Sequence, residues 1–130
     1  KLAVGTDTAL FPEGTKYKTI FITMGASMKG MGAAGIDADF ENNRVEEVVK
    51  LAQEEGLFIV GVHLAGEERR YHYLSEGMID RVAPYASLLL IANDSNNDDR
   101  FTKIAAEHDI PLILFETEFD IPDILTKMLP

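Results

Sequence analysis

The chain has 130 residues, no cysteine, and a net charge of −10 from 12 Lys/Arg set against 22 Asp/Glu. That length suits one domain with a sizeable core, and the missing thiols exclude disulfides, thiolate metal sites and cysteine nucleophiles. The acidic balance disfavours nucleic acid and anionic membrane as partners, and no apolar run approaches the ~20 residues of a membrane-spanning helix, so no membrane insertion is expected.

Residues 1–16 hold short apolar touches, Ala3-Val4 and Ala9-Leu10-Phe11, with Pro12 and Gly14 as breakers. We expect an N-terminal arm here, an edge strand or the remnant of a preceding βα unit, with a single α/β domain over 17–130. The start at Lys1 instead of methionine leads us to expect an upstream segment.

From residue 19 onward, four short apolar runs recur: Thr19 to Met24, Leu57 to Val62, Leu88 to Ile91 and Leu112 to Phe115. None alternates with polar residues, the habit of strands covered on both faces in a parallel sheet. Helical spacing fills the stretches between. Val45, Val48, Val49 and Ala52 recur at i, i+3, i+4 and i+7, with Asp37 or Asp39 as N-cap and Gly56 just past the end.

In the next crossover Leu74, Met78, Ile79 and Val82 share a face, Ser75 is placed to cap, Gly77 weakens the helix and Pro84 stops it. The third helix carries Phe101, Ile104 and Ala105 behind Asn97 or Asp98, and ends near His108. The last carries Ile121, Ile124, Leu125 and Met128 behind Asp120, with Pro122 in its first turn, where a missing N–H breaks no helical bond. The alternation predicts an α/β fold, a three-layer αβα sandwich on a mostly parallel sheet of four or five strands, Rossmann-like or flavodoxin-like.

In such sheets ligands bind outside the carboxyl ends of the strands. After the first strand the chain reads Gly30-Met31-Gly32-Ala33-Ala34-Gly35, a literal G-x-G-x-x-G. A dinucleotide reading fails on context: the glycines begin several residues past the strand, the helix begins beyond them near Asp37, and no acid sits about 20 residues further on at the end of the next strand. No cofactor is expected. A milder reading keeps Ser27, Lys29 and the loop N–H groups of Gly30, Gly32 and Gly35, with His63, Arg69 and Arg70 from the next loop, as donors for a small anion. The plain alternative is a tight connection beside solvated charges.

Asp94, Asp98 and Asp99 offer oxygen ligands to a hard cation after the third strand, but Asp99 stands where an EF-hand needs glycine and Ala105 where it needs glutamate. Helix capping is the simpler role for this run. A Ser27–His63 pair lacks the G-x-S-x-G elbow, so no catalytic residue is assigned.

Gly25 to Asp37, Gly61 to Arg70, Leu74-Ser75 with Val82-Ala83-Pro84, and Asn93 to Asp99 before Phe101-Thr102-Lys103-Ile104-Ala105 resemble the uncharacterised bacterial family DUF6305 over residues 17–130. The resemblance implies an exported, secreted or extracytoplasmic protein with one further βα unit ahead of this chain, and no established activity. Two functions are therefore expected: a module binding a small anionic ligand at the carboxyl edge, or a structural protein that self-associates into a homo-oligomer or fibre through its N-terminal arm. An enzyme ranks below both, because no activated nucleophile or paired acid and base can be assembled from the motifs.

Overall fold

The computed structural model describes residues 17–25, 38–64 and 73–128. Four strands, β1 (Thr19–Thr23), β2 (Phe58–His63), β3 (Leu88–Ala92) and β4 (Leu112–Phe115), form one sheet in the order β1-β2-β3-β4, every pair parallel. Helix α1 (Ala38–Glu54) joins β1 to β2, α2 (Tyr73–Val82) joins β2 to β3, α3 (Arg100–His108) joins β3 to β4, and α4 (Ile121–Met128) follows β4. The α/β sandwich predicted by the apolar runs is thus present, with the strands within a residue or two of their predicted bounds.

The two sheet faces are covered unequally. Ile22, Ile59, Leu89 and Ile91 point to one face and pack with Val45, Val48, Val49 and Ala52 of α1, Met78, Ile79 and Val82 of α2, and Phe101 and Ala105 of α3. Val60, Val62, Leu88, Leu90, Ala92 and Phe115 point to the other, where Ile121, Ile124 and Met128 of α4 pack. All three crossover helices lie on one side because strands added in sequence order by connections of one hand keep their helices on that side. The described strands do not include the reversal of order that Rossmann-like and flavodoxin-like sheets share.

Local chemistry explains the element ends. Gly56 adopts φ +69 just past α1; Leu57 N donates to Ala52 O at 2.9 Å and Gly56 N to Gln53 O at 3.1 Å, the paired bonds of a Schellman cap. Asp109 takes the same left-handed backbone after α3, φ 54, with both its own N–H and Ile110 N, at 2.9 Å, donating to Ala105 O. Pro84 sits in a 3-10 turn, Ala83–Tyr85, which ends α2 as predicted.

Ser75 departs from its expected role. It lies inside α2, fully buried, instead of capping it, since the helix begins two residues earlier at Tyr73. Gly77 has a packing reason as well: a Cβ there would come within 3.2 Å of the Asn42 side chain, so its absence lets α1 and α2 approach. Gly61 is tighter still, with Leu89 Cδ2 3.0 Å and Met24 Cε 3.3 Å from where a Cβ would sit. Across the helix layer, the Arg100 guanidinium pairs with both Glu76 and Asp80 of α2, and Arg81 Nε lies 2.8 Å from Glu46 Oε1 of α1.

Candidate functional site

The carboxyl edge is built outward from β2 and β3. β2 runs one residue further than its apolar run suggests and ends on His63, which therefore lies on a strand and not in a loop. Its side chain falls on the same face as Ile59, under α3, and is 1% exposed. The ring tilts 51° against Phe101 at a centroid distance of 6.1 Å. A buried imidazole needs a polar partner; Nδ1 finds one in Ser95 Oγ at 2.9 Å.

Ser95 belongs to a 3-10 turn, Asn93–Asn96, that leaves β3 directly. β2 and β3 are neighbours, with His63 opposite Ile91 in register, so a turn beginning two residues beyond Ile91 returns its hydroxyl to the imidazole. Asn96, 7% exposed, closes the arrangement onto α3. Its Oδ1 accepts from Phe101 N at 3.0 Å and its Nδ2 donates to Thr102 Oγ1 at 2.9 Å. Asp98, one of the two expected caps, accepts from Arg100 N, the first N–H of α3, at 3.3 Å, and Asn96 adds a buried acceptor that the sequence did not single out. Asn96 is the last residue of the 3-10 turn, which aims its side chain at the first turn of α3.

Asp94, Asp98 and Asp99 are all exposed. Asp99 has a left-handed backbone, φ 58, at the residue before α3. Among the described residues no group of three or more His, Asp or Glu converges as a metal site would require. In the loop after β4, Asp120 Oδ2 accepts from Glu116 N at 3.2 Å and Thr117 N at 3.1 Å, so its carboxylate is spent on its own backbone.

Ser27, Lys29, Gly30, Gly32, Gly35, Arg69 and Arg70 lie outside the described residues, as does the N-terminal arm over 1–16. Sequence reasoning paired His63 with Ser27 in imagination and missed Ser95, whose signal was available: a small hydroxyl four residues past the register partner of a strand-ending histidine. Chemically, the pair holds a serine hydroxyl against an imidazole, but Ser95 has no solvent exposure through which a substrate carbonyl would reach it. That burial suits a positioning role for the hydroxyl instead of a nucleophilic one.

A protein-family model described as a domain of unknown function, DUF6305, matches residues 3–129. The chain belongs to the DUF6305 family. No curated protein and no solved structure matches it. The described residues form a parallel α/β sandwich in which the buried polar side chains of His63, Ser95 and Asn96 lie together where β2 and β3 end, while Ser75 lies inside α2. Among the described residues no helix is long and apolar enough to cross a membrane.

Proposed function

We propose that this DUF6305 domain is an exported, non-catalytic binding module that takes a small anionic ligand at the carboxyl edge of its sheet. One observation carries the reading. Of the buried polar side chains among the described residues, His63, Ser95 and Asn96 sit together where β2 and β3 end, and only Ser75 lies elsewhere. Burying polar groups costs free energy unless they are bonded, and a fold that concentrates them at one edge builds a rigid polar floor there. The sequence supplies donors in the segments that follow β1 and β2: the Ser27 hydroxyl, the Lys29 ammonium, and the guanidinium groups of Arg69 and Arg70, which suit a carboxylate or phosphate.

Calorimetry with citrate, succinate, inorganic phosphate and pyrophosphate tests the reading on the intact chain. At least one anion is expected to bind, with an affinity at least tenfold weaker in the Arg69→Ala/Arg70→Ala variant. No heat of binding from any of the four, or binding that ignores both arginines, overturns it. Export is tested separately, by fractionating cells that make the native precursor; protein confined to the cytoplasm removes that part of the proposal.

A second reading rests on a different observation. β1 pairs with β2 alone among the described strands, and Phe21 and Phe58, 41% and 46% exposed, share the sheet face beside that edge. Edge strands with apolar neighbours favour strand addition, which supports self-association in which the arm of one copy pairs with β1 of the next. Sedimentation velocity across a hundredfold concentration range is expected to show growing species that Phe21→Ser/Phe58→Ser abolishes. A parent chain that stays monomeric throughout eliminates this reading.

A further inference from the structure

We draw no further inference here: the strongest candidate, the groove of about 340 Å³ between α1 and α2 lined by Glu46, Lys50, Asp80, Arg81 and Tyr85, sets two bases against two acids near the carbonyl-bearing ends of both helices, so nothing in the structure says what ligand charge or chemistry it takes.

Discussion

Replacing Asn96 by alanine tests the central claim that one buried amide fastens the end of β3 to the start of α3. The change removes the Oδ1 acceptor of Phe101 N and the Nδ2 donor to Thr102 Oγ1. Loss of an N-terminal cap costs about 1 kcal/mol. Phe101, whose side chain is 0% exposed, then loses the hydrogen bond from its N–H to Asn96, and losing a buried hydrogen bond of this kind costs about 1–3 kcal/mol. The two descriptions overlap, so the expected destabilisation is about 2 kcal/mol, or a fall in Tm of about 6–10 °C for a domain of this size.

Asn96→Asp is the informative partner to that variant. It keeps an oxygen for Phe101 N and adds negative charge at a helix N-terminus, which is favourable, while losing only the donor to the exposed Thr102. Its expected cost is below about 1 kcal/mol. Urea and thermal unfolding followed by circular dichroism measure both, provided the transitions superimpose as two-state unfolding demands. If Asn96→Ala melts within 2 °C of the parent, or if Asn96→Asp is as damaging as alanine, the capping account is wrong.

Two further outcomes can be checked in the same melts. Gly61→Val introduces side-chain atoms where even a Cβ would stand 3.0 Å from Leu89 Cδ2 and 3.3 Å from Met24 Cε; overpacking of this kind is expected to destabilise by about 1–3 kcal/mol, and a neutral result would mean the core there is loose. Asp109→Gly relieves a non-glycine residue at φ 54 and removes negative charge from the carbonyl end of α3; stabilisation of about 0.5–1 kcal/mol is expected, and a lowered urea midpoint would contradict it.

The legible and illegible parts of this chain divide along a physical line. The four strands could be read directly because each leaves a continuous apolar run, although only β3 is buried throughout and β1 and β4 are half-exposed, and Val45, Val48, Val49 and Ala52 announce α1 by their period alone. Gly56 was equally plain, since a helix of that length followed by glycine invites a left-handed cap. His63 was misassigned to a loop because a polar residue ends an apolar run even when the backbone pairing continues through it. Ser75 and Asn96 failed for a common reason: the chain offers several capping residues near each helix start, and choosing among them depends on where the turn from the preceding strand aims, which is tertiary information. Strand order is of the same kind. Hydrophobic pattern identifies strands without saying who sits beside whom.

That order has a bearing on how any ligand is gripped. Where a doubly wound sheet sends adjacent loops to opposite sides, the loops diverge and leave a cleft between them. Here the helices that follow β1, β2 and β3 all pack on the same face of the sheet. Among the described strands there is accordingly no point at which successive crossovers part to opposite faces, and so no crevice of the doubly wound kind.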